Sequence, residues 1–194
     1  MNFVESLQKI DELIFFFFNQ TLSNPLFDFS MPHITSPITW IPIYLLLCVY
    51  LIRQKQIGLV CLFTILLAFI IVDPLSSRYL KFAFERVRPC RALQGVHLLV
   101  ECGVGPSFPS THAGNSFAIA TVFSLFYRRF AILSFSFASL IAISRMIVGV
   151  HYFFDVLSGA IVGIVVGILC YLVAQWVLQK YILKPLPTAN QPQK

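Results

Sequence analysis

Three short polar segments interrupt an otherwise apolar chain: "KFAFERVRP" (81–89), "PSTH" (109–112) and "SRMIVGVHYFFD" (144–155). They hold the cations Lys81, Arg88 and Arg145, the hydroxyl of Ser110, the histidines His112 and His151, and the carboxylate of Asp155. Guanidinium forks and an ammonium point charge match the oxygens of a phosphoryl group. Ser110 stands where a helix would begin, so the amides of Thr111 and His112 would point at the same anion from the positive end of the helix dipole. The set reads as a phosphate cradle built without a metal. Only His112, His151 and Asp155 could act as ligands, and three neighbouring cations oppose a divalent ion, so no metal or other cofactor is expected.

Two histidines beside a bound phosphate divide the work. A neutral imidazole can attack phosphorus to form a phosphohistidine, while a protonated one donates to the departing oxygen. Asp155 lies one helical turn after His151, within reach of the ring nitrogen not used for attack, where it would fix the tautomer and stabilise positive charge on the ring. His151 is therefore the expected nucleophile. His112, with no acid at such a spacing, is the expected general acid. Singly, each residue has a bland explanation, as an interfacial histidine, a snorkelling arginine or a Pro-Ser helix start. Together they do not.

Elements must bring these segments to one place. Of the 194 residues, 58% are hydrophobic and 11% charged, far outside the range of soluble globular proteins. Crossing a bilayer takes an apolar run of about 20 residues, and spans are expected near 38–52, 57–80, 113–127, 130–148 and 153–179. Residues 3–18 place Phe3, Val4, Leu7, Ile10, Ile14, Phe17 and Phe18 near helical period, with Glu5, Lys9, Asp11 and Glu12 on the other face. The expected fold is an all-α polytopic membrane helical bundle of five to six transmembrane helices, its N-terminal helix lying on the surface or partly inserted. One domain, 1–194, is expected: N-terminal helix and connector over 1–33, catalytic bundle over 34–180, flexible tail over 181–194. Acidic residues ahead of the first apolar run argue against a cleavable signal peptide.

Up-and-down helices deliver all three polar segments to one membrane face. Arg53 and Lys55, Arg128 and Arg129, and Lys180, Lys184 and Lys194 occupy acid-free segments at the other, which marks that side as cytoplasmic. The long loop 81–112 is also basic, through Lys81, Arg86, Arg88 and Arg91, and binding an anion there would explain why such charge is translocated. The net charge of +6 reports topology and head groups rather than nucleic acid, since no basic array with interleaved aromatics occurs. No obligatory protein partner is evident. Gly159, Gly163 and Gly167, four apart, read as a close-packing stripe. Cys48, Cys61 and Cys170 lie in apolar spans as small hydrophobes. Cys90 and Cys102 share one polar loop, and a disulfide between them is open to that loop in an oxidising compartment. Asp73, before Pro74, reads as a structural residue at a helix kink, near Arg78.

The order and spacing of the motifs, Lys81, six residues, Arg88-Pro89; Pro109-Ser110-Thr111-His112; Ser144-Arg145, five residues, His151, three residues, Asp155, resemble the three-part signature of the type 2 phosphatidic acid phosphatase superfamily. The resemblance runs from about residue 35 to 180. It implies that Lys81, Arg88, Arg145 and Ser110 bind phosphate, that His112 is the general acid, His151 the nucleophile and Asp155 its partner, and that no metal takes part. Thr111 departs from the family pattern, which has glycine there; the position chiefly offers a backbone amide. The short N-terminal helix is a second departure, because six spans are common in the membrane branch. The resemblance implies a bacterial inner-membrane enzyme with its site facing the periplasm and a lipid phosphate as substrate. Undecaprenyl pyrophosphate is favoured, ahead of lipid A 1-phosphate, phosphatidylglycerol phosphate and phosphatidic acid. A transporter or flippase of anionic lipids is the competing class, and it would predict midplane charges and an internal repeat.

Overall fold

A computed structural model describes residues 2–182, with side chains to residue 180; Lys184, Lys194 and the expected tail from 183 onward lie outside the described residues. Helix α1 (Phe3–Phe16) runs through a π-helical turn, Phe17–Thr21, into α2 (Pro25–Thr35) and α3 (Pro37–Arg53). Proline at the first position of α2 and of α3 suits the orphan end of a helix, where no amide is needed. Helix α4 (Lys55–Pro74) continues through a second π-helical turn, Leu75–Leu80, into α5 (Lys81–Phe84). After α6 (Pro89–Ala92) and a long loop come α7 (Thr111–Phe126), α8 (Ala131–Ile147) and α9 (Phe153–Val177). Every described element is helical. Three stretches are long and apolar enough to cross a membrane, Lys55–Ala92, Arg128–Ile147 and Phe153–Lys180, with a fourth if the pair α2–α3, bent by 59°, counts as one.

Helix α7 packs against α4, α8 and α9. Enclosed by protein rather than lipid, it needs no long apolar run, and it buries Ser116, Thr121 and Ser124 beside alanines. The core formed by Leu51, Cys61, Ile65, Val72, Val122 and Val166 joins the C-terminal end of α3 to α4, α7 and α9. Large apolar side chains such as Phe63, Ile70, Leu169 and Val173 face outward, as a lipid-facing surface requires.

The glycine stripe sets the spacing of α7 and α9. A Cβ at Gly159 would lie 2.3 Å from the Ser110 carbonyl oxygen, and one at Gly163 would lie 2.2 Å from that of Gly114. Only a hydrogen fits there, so the two helices touch backbone to backbone.

The N-terminal helix differs from the amphipathic pattern its sequence suggests. Phe3, Val4, Leu13 and Phe17 are exposed, whereas Asp11, Phe15 and Asn19, spaced four apart, are wholly buried. Asp11, expected on an outward polar face, therefore points into the protein. Asn19 donates from Nδ2 to the carbonyls of His97 (2.7 Å) and Ile147 (2.8 Å) and accepts from the His97 amide (2.8 Å). Gln20 donates to the Gly95 carbonyl at 2.6 Å, and His97 lies 3.1 Å from Asp28. The N-terminal segment thereby clamps the long loop onto the end of α8.

Arg129 donates to the Tyr50 hydroxyl at 2.9 Å, which brings the α7–α8 turn to the C-terminal end of α3. Basic residues of two turns therefore share one end of the bundle, and the three polar motifs lie at the other.

Candidate active site

Each motif is placed by a helix end. Lys81 opens α5; Arg88 immediately precedes α6; Thr111 and His112 open α7; Arg145 lies in the last turn of α8; His151 sits in the turn before α9, and Asp155 in its first turn. Gly149, at φ 86°, lets that last turn reverse direction. The Ser110 amide donates to the Asp155 carbonyl at 2.8 Å, joining the second and third motifs. Across the glycine contact, this bond holds the start of α7 against the start of α9.

One cavity of about 740 Å³ gathers Lys81, Arg88, Thr111, His112, Arg145 and His151 on its wall. From this cationic end it runs between α3 and α4 past Trp40, Ile41, Tyr44, Leu62, Leu66 and Phe69. Ile41, Leu66 and Phe69 are half exposed on the outside of the bundle, so the apolar end opens sideways.

Arg88 is fixed from three sides. Its Nε donates to the Gly105 carbonyl at 2.8 Å, and Nη1 donates to the Val150 carbonyl at 3.1 Å and faces His151 Nε2 at 3.3 Å. Cys90 and Cys102 are joined by a disulfide that closes the loop between them, with Cα atoms 6.2 Å apart. Gly103, next in the chain, packs against the Arg88 guanidinium, where a Cβ would come within 3.3 Å. Arg145 donates to the Thr35 hydroxyl, and its buried Nε has no hydrogen-bond partner among the described residues. A buried guanidinium N–H without an acceptor leaves a donor available to an anion.

The His151 tautomer follows from its neighbours. A guanidinium only donates, so Nε2, facing Arg88, carries the lone pair, and the ring proton sits on Nδ1. Nδ1 lies 3.5 Å from Asp155 Oδ2, a contact not yet closed to a hydrogen bond; such contacts tighten when substrate binds. Burial pushes the imidazole down to about 3 against the raising effect of Asp155, with Arg145 and Arg88 adding to the lowering. The resting ring is neutral, as a nucleophile requires.

Two sequence expectations sit differently in the structure. Ser110 is wholly buried; its Oγ accepts from the Ala113 amide at 3.5 Å, so it caps α7 and does not line the cavity. Asp73 lines the cavity and accepts from Asn115 Nδ2 at 3.0 Å, so its partner is Asn115 rather than Arg78. Thr111 does line the cavity, and its buried hydroxyl has no partner among the described residues. No group of three or more His, Cys, Asp or Glu side chains is arranged for a metal ion among the described residues.

The sequence marks no role for Thr35 or Asn115, and Arg86, grouped there with the anion-binding cations of the loop, instead donates to Asp155 and Asp11 and does not line the cavity. Thr35 and Asn115 carry no signal of their own, since their place beside the cavity comes from packing. Arg86 stood out only as a further cation two residues before Arg88.

A helical membrane protein with a cationic, histidine-bearing pocket that opens into an apolar groove is built to act on a phosphate whose remainder stays in the bilayer. Residues 57–179 match the model of the PAP2 superfamily, and the chain belongs to that family. It is a membrane lipid phosphatase. The chain is 29% identical over 180 residues to a lipid A 4'-phosphatase of Bacteroides thetaiotaomicron, covering 88% of this chain and 80% of that protein. Its structure resembles the crystal structure of Aquifex aeolicus LpxE with a TM-score of 0.67 and 30% identity, over 83% of this chain and 94% of the other. A phosphatidylglycerolphosphate phosphatase from Bacillus subtilis shares the fold at a TM-score of 0.62 and 23% identity, over 93% of this chain and 90% of that one.

Proposed function

We propose that the protein removes a phosphate monoester from a lipid held in the bilayer, through a phosphohistidine on His151. The observation that carries this reading is the single cavity with Lys81, Arg88, Arg145, His112 and His151 at one end and an apolar, laterally open groove at the other. The lipid tail occupies the groove while its phosphate takes the donors of the three cations and the first amides of α7. Once phosphate displaces Arg88 from His151 Nε2, that lone pair attacks phosphorus, forming the N–P bond as the P–O ester bond breaks. The bound phosphate dianion offsets the surrounding cations and favours a protonated His112, which gives that proton to the leaving oxygen. Water then attacks the phosphohistidine, its proton passing to His112, and the N–P bond breaks to release phosphate. Asp155 stabilises the charge on the His151 ring throughout.

The substrate we favour is a lipid A-type sugar phosphate, supported by the name of the Bacteroides relative that the chain matches over most of both lengths. Asp73, on the wall of the same cavity, also disfavours a second phosphate group. Undecaprenyl pyrophosphate, preferred on sequence, has no specific support from these relatives and stands second. We further propose five crossings of the bacterial inner membrane, by α3, α4, α7, α8 and α9 within a single domain, with the site on the periplasmic face. Arg53, Lys55, Arg128 and Arg129 at the opposite end of the bundle support that orientation.

The test is phosphate release in detergent, with chelator in excess, from lipid A, undecaprenyl pyrophosphate, phosphatidylglycerol phosphate and phosphatidic acid. Turnover of lipid A that persists with chelator and is lost in His151→Ala is expected. Full activity in His151→Ala would remove the assigned nucleophile, and preference for the pyrophosphate would overturn the substrate assignment.

A further inference from the structure

The first turn of α9 carries two carboxylates from distant parts of the chain. Asp155 Oδ2 accepts the Tyr152 amide at 3.0 Å and lies 3.5 Å from His151 Nδ1. Asp11 Oδ1, from α1, accepts the Phe154 amide at 2.9 Å. Arg86 joins them: Nη1 donates to Asp155 Oδ1 at 2.8 Å, and Nη2 donates to Asp11 Oδ2 at 2.6 Å. Its guanidinium also lies 4.0 Å over the Tyr152 ring, on which Phe15 of α1 packs. Both carboxylates are 0% exposed.

Two buried carboxylates cannot face one another unpaired, since each needs charge-assisted partners to stay ionised away from water. A planar, forked guanidinium can serve both at once, which a lysine point charge cannot. The division of oxygens matters for the site. Arg86 occupies Oδ1 of Asp155, leaving Oδ2 as the oxygen turned toward His151 Nδ1. Asp11 in turn holds Arg86 in that pose and ties α1 to the N-terminal end of α9.

We infer that Asp11 and Arg86 are positioning residues for the Asp155–His151 pair, so that α1 belongs to the catalytic apparatus instead of merely anchoring the chain. The inference rests on the reading of His151 as nucleophile. Neither residue lines the cavity, so their loss acts on turnover through Asp155 and leaves substrate binding alone.

The test measures phosphate release from lipid A and from a short-chain phosphatidic acid in detergent for wild type, Arg86→Gln, Asp11→Asn, Asp155→Asn and the double variants that pair each of the first two with Asp155→Asn. Loss of a partner that orients a metal-bound histidine costs about 10- to 100-fold; by the same positioning argument Arg86→Gln is expected to lower kcat by about that factor with KM within about twofold of wild type. Asp11→Asn, which keeps an acceptor for the Phe154 amide, is expected to lose less. Added to Asp155→Asn, either change is expected to cost less than about twofold more, because residues acting through one group are not additive. Multiplicative losses in the double variants, or a rise in KM with kcat unchanged, would overturn the proposal. Should Arg86→Gln fail to fold, the Asp11→Asn cycle decides alone, since that change is isosteric. A wild-type protein inert on both lipids, or a fully active His151→Ala, overturns the phosphatase reading and this inference with it; a wild-type-like Arg86→Gln beside an inactive His151→Ala overturns this inference only.

Discussion

Substituting Gly163 by alanine tests whether helix contact sets the catalytic geometry. The added Cβ would stand 2.2 Å from the Gly114 carbonyl oxygen and 2.9 Å from the Ala118 amide nitrogen. Both are backbone atoms, so no side chain can swing aside. To reach ordinary contact α7 and α9 must part by about 1 Å, an overpacking strain near the upper end of the usual range, about 3 kcal/mol. Alanine returns about 1 kcal/mol in helix propensity. The remaining loss of about 2 kcal/mol corresponds to a fall in Tm of about 4–8 °C for a chain of this size. The same movement stretches the 2.8 Å bond from the Ser110 amide to the Asp155 carbonyl and carries His112 away from His151. Misplacement on that scale costs about 100-fold in turnover. Gly159→Ala, facing the Ser110 carbonyl at 2.3 Å, is expected to behave alike, and Gly167→Ala, which meets the Thr121 Cβ at 3.0 Å, to be milder. Thermal unfolding in detergent and phosphate-release kinetics on the three variants provide the assay. A Gly163→Ala protein with wild-type Tm and kcat would refute the claim that this contact positions the site.

Three other outcomes follow from particular residues. Ile41→Trp, projecting bulk into the apolar end of the cavity, is expected to raise KM for long-chain lipid phosphates several-fold while hydrolysis of a water-soluble phosphate ester is unchanged; equal effects on both would contradict a tail groove. Cys90 and Cys102 are expected to resist thiol labelling until reductant is added, and Cys90→Ser with Cys102→Ser to raise KM by freeing the loop that packs on Arg88. His151 is neutral in the fold, held down to about 3, whereas unfolded histidine takes a proton below about 6.5. Its contribution to stability is therefore complete above pH 6.5 and declines as the pH falls toward 3, by up to about 1.4 kcal/mol per unit. Melting curves of wild type and His151→Asn across that interval check this, and parallel curves would count against it.

Helix positions could be read from the sequence because apolar run length and period report directly on the bilayer. The expected spans at 38–52, 113–127, 130–148 and 153–179 match α3, α7, α8 and α9 to within a few residues, and the one at 57–80 covers α4 and the turn after it. Their status as crossings is less visible, since α7 is only 16 residues long and enclosed by other helices. One face of the N-terminal helix is not legible in the sequence, since Asp11 is buried. Its apolar and charged residues follow helical period, but period cannot say whether a charged face meets water or a buried guanidinium, and Asp11 meets Arg86.

By itself the sequence determined which residues group together. Lys81, Arg88, Thr111, His112, Arg145 and His151 could be placed at one site because motif spacing and alternating helices allow their segments only one common face, and all six line one cavity. Tertiary structure alone decided what supports them. Ser110 became a buried cap, Asp73 took Asn115 as its partner, and Asp11 reached Arg86 across 75 residues of chain and the first turn of α9 across 143. Such pairings depend on which helix faces meet; the glycine stripe announces a close approach, but only the fold shows that its partners are the Ser110 and Gly114 carbonyls, from which a Cβ added at Gly159 or Gly163 would stand 2.3 or 2.2 Å away.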